Sequence, residues 1–217
     1  MNAHLRANLW LLGMTVLLCC GLYPLTLWAI GQGIFAERAA GSLIEKEGRV
    51  VGSRLIAQPF TQPEYFWPRP SAVAYDASAS GGSNLGASNP KLRERVVQSL
   101  DQLQKHPHDP SKDVPADLVM TSGSGLDPHI TLQNALYQLD RVVDAWAEKT
   151  KADKAEVRKA IEELLNRQAA APLGGLAGEK LVNVLEVNLA LPEALGGLPR
   201  RAAGATDGPG LDAGRSG

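Results

Sequence analysis

The chain has 217 residues, with 22 Lys and Arg against 23 Asp and Glu and a formal charge of −1. That balance excludes the one-sided positive field of a nucleic-acid-binding domain, and no basic run offers a polybasic lipid site. Both cysteines, Cys19 and Cys20, lie in one apolar stretch. The remainder therefore has neither a disulfide framework nor a thiolate zinc site.

That stretch runs from Leu9 to Ile30, and no charged side chain occurs between Arg6 and Glu37. About 20 apolar residues cross the hydrocarbon core of a bilayer. Only a helix can do so in a single pass, because lipid offers no partner to an open backbone group. Pro24 is expected to kink this helix or mark its outer end. Trp10 stands near one end, Tyr23 and Trp28 near the other, as amphipathic rings do at the two interfaces. A cleaved signal peptide is the alternative. Its apolar core is only about 7–15 residues and needs small residues where Leu25, Leu27, Trp28 and Ile30 stand. The stretch reads as an anchor. Gly13, Cys19, Gly21 and Pro24 are its candidate packing positions, since small residues let a second helix approach. Arg6 and the terminal amine precede it, while Glu37 and Arg38 cancel after it. The positive-inside bias then expects the N-terminus in the cytoplasm and the main domain outside.

Residues 1–36 thus read as a cytoplasmic stub with its anchor, and 37–191 as one domain of ordinary size. Residues 192–217, rich in Gly, Ala, Pro and Arg, are expected to form a disordered tail. After the anchor, Gln32 to Leu43 can continue as helix. The alternation in GRVVGSRLIAQPF predicts a strand over 50–57. Thr61 to Tyr75 carries Pro63, Pro68 and Pro70 among Tyr65, Phe66 and Trp67. Three prolines forbid a helix or a central strand there, leaving an extended, aromatic-studded segment. Arg69, held between two prolines, has the stiff frame to bind a carboxylate bidentately; its simpler role is an internal ion pair. Asp76 to Asn89 is a polar loop of small residues.

Asn89 and Pro90 form an N-cap and N1 pair for a helix with Leu92, Val96, Leu100 and Leu103 on one face, ending before Pro107. His106, His108 and Asp109 have metal-like spacing, but a proline-broken loop is a poor rigid frame, and no metal is expected. Asp117 to Met120 predicts a short strand running into a second Gly/Ser loop, Thr121 to Thr131. Thr131 is the expected cap of the best amphipathic helix, marked by Leu132, Ala135, Leu136, Leu139, Val142, Val143 and Trp146. Thr150 is the expected cap of another at about 151–167. Leu181 to Leu191 alternates and predicts a strand. The sum is an α/β fold: one N-terminal transmembrane helix, then a small extracytoplasmic domain with a short sheet of about three strands and three helices.

No Walker A, G-x-S-x-G or H-E-x-x-H pattern occurs, so no catalytic residue is assigned. Ser80, Gly81, Gly82, Ser83 and Asn84 are similar to the LSGGQ-type signature, whose backbone N–H groups approach a phosphate. A turn or docking loop is the stronger expectation for so short a match. Asp127 and His129 flank Pro128 as a polar pair, satisfied most simply by each other. Two polar, glycine-rich loops without a catalytic set suggest surfaces shaped for another protein. Arg69, Ser122, Gly123, Ser124, Gly125, Asp127 and His129 are the candidate docking residues.

Five segments carry a resemblance: GSRLIAQPF (Gly52 to Phe60), YFWPRPSA (Tyr65 to Ala72), SGGSNLGASNP (Ser80 to Pro90), SGSGLDPHI (Ser122 to Ile130) and LVNVLEVNLAL (Leu181 to Leu191). In order and spacing they closely resemble the C-subunit family of the Kdp potassium-transporting P-type ATPases. The resemblance implies a non-catalytic accessory subunit of a bacterial inner-membrane pump, with one membrane helix and an outer domain. It implies three partners: a channel-like A subunit that moves potassium, a B subunit that hydrolyses ATP through a phosphoaspartate, and a small F subunit. It implies no cofactor of the chain's own, with ATP engaged only through the B subunit, whose affinity for it a C subunit has been described as raising. The sequence departs from the family at Trp146, where an Arg is usual, and at Trp67 and Pro68. A stand-alone, membrane-anchored envelope binding protein or enzyme is the alternative reading.

Overall fold

The computed structural model describes residues 2–106, 111, 113–176 and 178–199. They divide into two compact units, one up to Leu55 and one from Ile56 onward.

The first unit begins with a continuous helix, Ala3–Ile34, in three parts: α1 (Ala3–Val16), a π-helical turn (Leu17–Leu22) and α2 (Tyr23–Ile34). Among the described residues it is the one helix long and apolar enough to cross a membrane, and none of it is buried. The π turn lies just before Pro24, and the Tyr23 N–H reaches back five residues to the Leu18 carbonyl. Proline lacks a donor, and its ring crowds the carbonyl four residues earlier. The widened turn relieves that crowding, so the kink expected at Pro24 takes the form of a π bulge. Thr15 and Thr26 donate to the Leu11 and Leu22 carbonyls at 2.8 and 2.7 Å, which satisfies both threonine hydroxyl protons within the helix.

The helix ends at Ile34. It does not continue to Leu43 as expected: a single turn, α3 (Ala36–Ala39), follows, and then β1 (Leu43–Lys46) and β2 (Arg49–Ser53) pair as an antiparallel hairpin. Gly41 and Gly48, both at positive φ, turn the chain before each strand. The strand expected over 50–57 thus stops at Ser53.

The second unit is mainly helical. After an extended strap come α4 (Pro90–Leu103), α5 (Ala116–Val119), β3 (His129–Thr131), α6 (Leu132–Thr150), α7 (Lys154–Gln168), β4 (Leu181–Asn183) and α8 (Val184–Leu195). Asn89 accepts from the Lys91 N–H and Thr131 from the Asn134 N–H, as their positions predict. The α7 cap is Asp153 rather than Thr150. Lys151, in the left-handed region at φ 58°, ends α6, and the Thr150 hydroxyl turns back onto the Trp146 carbonyl.

Two expected strands are helices. Asp117 to Met120 lies mostly in α5, because four residues are too few for period to separate a strand from one helical turn. In the last segment only Leu181 to Asn183 is strand, pairing with His129 to Thr131. There the Asn183 carboxamide accepts from the Leu185 and Glu186 N–H groups at 3.1 and 3.3 Å and starts α8. Val184, Val187, Leu191 and Leu195 then share the buried face at helical spacing, a pattern the alternation had hidden. This helix carries the fold beyond Leu191 into the span expected as tail, through Pro192 to Leu195, and residues 200–217 lie outside the described residues. Among the described residues the strands form two separate two-stranded sheets instead of one sheet of three.

The core is built by α6, α7 and α8 around Ile130, Val142, Val157, Ile161, Leu165, Val187 and Leu191, with Phe66 of the strap pressed into it at 1% exposure. Replacing Phe66 by Ala should cost about 3–5 kcal/mol through lost burial and the cavity left behind. Leu176→Ala, at a side chain 91% exposed, should stay within about 0.5 kcal/mol. Urea unfolding of the full chain in detergent, followed by Trp fluorescence, checks both.

Candidate functional site

The strap cannot take its hydrogen bonds from a sheet, and side chains of the helices supply them instead. Asn188 accepts from the Phe66 N–H at 2.8 Å and donates to the Phe66 carbonyl at 2.9 Å. Gln138 does the same for Trp67, at 2.8 and 3.1 Å. Arg141 donates to the Pro63 and Tyr65 carbonyls at 2.7 and 2.9 Å and to Gln138 Oε1 at 2.5 Å, with its guanidinium 3.7 Å from the centre of the Trp67 ring. Burial pushes the Arg141 pKa down to about 9, so it remains a cation at neutral pH. Trp146, where the resemblance leads one to expect an Arg, donates its indole N–H to the Glu64 carbonyl at 2.8 Å. A polar contact is thus made at this position by the indole.

The anchored strap brings the two Gly/Ser loops together. The Ser122 N–H donates to the Pro70 carbonyl at 3.2 Å, and the Ser71 hydroxyl to the Gly125 carbonyl at 2.6 Å. Between the loops, the Gly81 N–H donates to the Ser124 carbonyl at 2.8 Å, with Ser80 Oγ at 3.4 Å from the same oxygen. Thr121 and Ser83 hydroxyls lie 3.4 Å apart. The approach needs glycine. A Cβ on Gly82 would sit 3.0 Å from the Gly123 carbonyl oxygen, and one on Gly125, at φ +72°, would meet Val73 at 2.7 Å and the Gly81 carbonyl at 2.9 Å.

Arg69 leaves the strap at this junction. Its Nη2 donates to the Thr121 carbonyl at 3.3 Å, and its Nη1 lies 3.7 Å from Asp127 Oδ2. Asp127 in turn accepts from the His129 backbone N–H and faces His129 Nδ1, both at 3.0 Å. The bond from the His129 side chain, with the backbone bond and nearby Arg69, holds the Asp127 carboxyl below its usual range against the opposing effect of burial. Every docking candidate named from the sequence therefore falls in one cluster: Arg69, Ser122, Gly123, Ser124, Gly125, Asp127 and His129, with Ser80 to Asn84 alongside. Ser122 and Gly125 are buried supports, whereas Ser80, Asn84 and Gly123 face solvent.

Sequence reading missed a cleft of about 340 Å³ between the strap and α4, lined by Phe60, Trp67, Pro68, Pro70, Tyr75, Gln102, Leu103 and His106 among others. The concentration of aromatic rings between Phe60 and Tyr75 was its only signal. His106 packs edge-on to Trp67 with ring centres 5.0 Å apart, and His108 and Asp109 lie outside the described residues. No group of three or more His, Cys, Asp or Glu residues suited to a metal occurs among the described residues.

Fold and site together define a class: among the described residues, one helix long and apolar enough to cross a membrane and a small mixed domain that presents a braced, polar two-loop surface. The family model described as "K+-transporting ATPase, c chain" matches residues 5–193. A Sorangium cellulosum protein named potassium-transporting ATPase KdpC subunit is 47% identical over 197 residues, 89% of this chain and all of that one. Proteins of the same name from Burkholderia vietnamiensis and Parvibaculum lavamentivorans are 49% and 40% identical, over 81% and 85% of this chain and 88% and 94% of theirs. The chain belongs to the KdpC family.

Two outcomes test the junction. Gly125→Ala should lower stability by about 1–3 kcal/mol, because the new methyl group meets backbone and a β-branched side chain at a left-handed residue. Thermal melting of the full chain checks it. The depressed pKa of Asp127 stabilises the fold above the ordinary carboxyl value near 3.8, and that contribution is lost as pH falls through the lower folded value. Melting temperature against pH should therefore drop less steeply below pH 4 in Asp127→Asn than in the parent; an unchanged profile would count against the His129 pairing.

Proposed function

We propose that this chain is the non-catalytic accessory subunit of an ATP-driven potassium uptake complex in a bacterial inner membrane. Its N-terminus lies in the cytoplasm and its main domain outside, and it assembles with the channel-like A subunit, the ATP-hydrolysing B subunit and the small F subunit. Membership of the KdpC family over residues 5–193 carries the reading. The two-loop surface around Arg69 supports it, being polar, rigidly braced and suited to a protein partner rather than to a reacting substrate. On the proposed topology the outer domain and cytoplasmic ATP are on opposite sides of the membrane. Assembly therefore ranks above direct nucleotide contact, and a role in raising the ATP affinity of the B subunit would have to act through the membrane helices.

The helix offers a clean handle. A Cβ on Gly21 would meet nothing closer than the helix's own Leu17, at 3.9 Å, so the isolated helix tolerates a side chain there. Gly21→Leu should then weaken retention only by obstructing a neighbouring helix. The test is affinity capture of the tagged chain from mild-detergent membranes with mass spectrometry of the co-purifying proteins. Recovery of a P-type ATPase with a multi-span potassium subunit, reduced severalfold by Gly21→Leu, is the expected result. A protein captured alone would remove the assignment and favour the stand-alone envelope protein.

A further inference from the structure

The π turn in the apolar helix leaves one backbone group without its usual partner. A helix offers the Cys19 carbonyl two donors, the N–H of Tyr23 in α geometry or that of residue 24 in π geometry. The Tyr23 N–H is given to the Leu18 carbonyl, and Pro24 has no N–H to give. The threonine hydroxyls of the helix serve other turns, Thr15 the Leu11 carbonyl and Thr26 the Leu22 carbonyl. The Cys19 carbonyl is therefore a vacant acceptor.

Its depth decides what can fill it. Cys19 stands ten residues after Leu9 and eleven before Ile30, the ends of the apolar run. At the helical rise that is about 15 Å from either end, the middle of a hydrocarbon core ~30 Å thick. Headgroups do not reach there, and acyl chains donate nothing. A carbonyl freed by proline within a membrane is satisfied by a neighbouring helix, by a Ser or Thr of its own helix, or by ordered water. The helix's own threonines are engaged, and a dry lipid-facing surface holds no water. A parallel second copy would bring its Cys19 and Cys20 to this level, and thiols are weak donors. A different helix is left. Access is open, because Cys19 and Cys20 are exposed and Gly21 carries no side chain.

We infer that the turn at Leu17–Leu22 is the docking point for a helix of a different membrane protein, one that carries a hydroxyl or carboxamide at mid-depth and donates it to the Cys19 carbonyl. The inference deepens the assembly reading, on which it rests for the helix's place across a membrane, but it does not require the partner to be a potassium pump. The two cysteines are adjacent, so isotope labelling of cysteine at its carbonyl carbon and amide nitrogen marks one directly bonded pair, the Cys19 carbonyl with the Cys20 nitrogen. Solid-state NMR reads that pair in the full chain, first alone in phosphatidylcholine and phosphatidylglycerol bilayers, then in the assembly captured from mild-detergent membranes. Loss of the signal in Cys19→Ala confirms its origin. The Cys19 carbonyl resonance should move downfield on assembly. Pro24→Ala should show the downfield position already when alone, since the closed helix supplies the donor, and should recover severalfold less of the partner. An unshifted carbonyl in an assembly that contains a P-type ATPase would overturn the inference and leave the pump reading standing. A downfield shift with some other membrane protein would support the inference and overturn the pump reading. A downfield position for the unmutated chain alone, from a second copy or from water, would overturn the inference, and capture of the chain with no membrane protein would overturn both.

Discussion

Three prolines within eight residues set the main constraint on the outer unit. A segment that holds Pro63, Pro68 and Pro70 cannot join a ladder, yet Phe66 within it is fully buried, so its backbone must find partners elsewhere. The partners are side chains fixed on two helices: Gln138 and Arg141 on α6 and Asn188 on α8. Arg141 is the costliest of them, a cation only 4% exposed. Its desolvation is offset by carbonyl oxygens at short range and by the face of Trp67. The oxygens it meets are neutral, so the arrangement works only while the strap keeps its course. Helix and strap therefore order one another.

From that order the two-loop surface follows. Arg69, Pro70 and Ser71 come directly after the clamped residues, and each touches the second loop through its side chain or carbonyl. Glycine at position 125 lets the loops close to a separation that a methyl group would prevent, and at position 82 a methyl group would make the neighbouring carbonyl give way by a few tenths of an ångström. A surface made in this way is polar without being floppy, which suits docking: little ordering entropy remains to be lost on binding. It sits on a chain of the KdpC family, with a helix whose Gly21 leaves room for a neighbour.

Much of this was legible beforehand, and for physical reasons. The spanning helix is a matter of length and absence of charge; the caps at Asn89 and Thr131 follow from local chemistry. The candidate residues at the junction were found because glycine, serine and a proline-framed arginine have few other uses in such number. The two strands that proved helical share one cause. Leu185, Val187, Leu189 and Leu191 alternate, but Val184, Val187, Leu191 and Leu195 also satisfy helical spacing, and only the Asn183 cap decides between them. Val119 and its neighbours were too short a run to show a period. What no local pattern reveals is pairing at a distance: Asn188 with Phe66, Arg141 with Pro63 and Tyr65, and the meeting of the loops across some forty residues.

Arg141 holds the strap and, through it, orders the loop surface. Hydrogen–deuterium exchange of the full chain in nanodiscs, comparing the parent with Arg141→Met, tests it most directly. Methionine fills similar space but donates nothing to the Pro63 and Tyr65 carbonyls. The account predicts faster exchange at the Phe66 and Trp67 amides and also at those of Gly81 and Ser122, while the amides of α7 hold their protection. Unchanged protection at Gly81 and Ser122 would contradict it, for the loops would then be held together without the clamp.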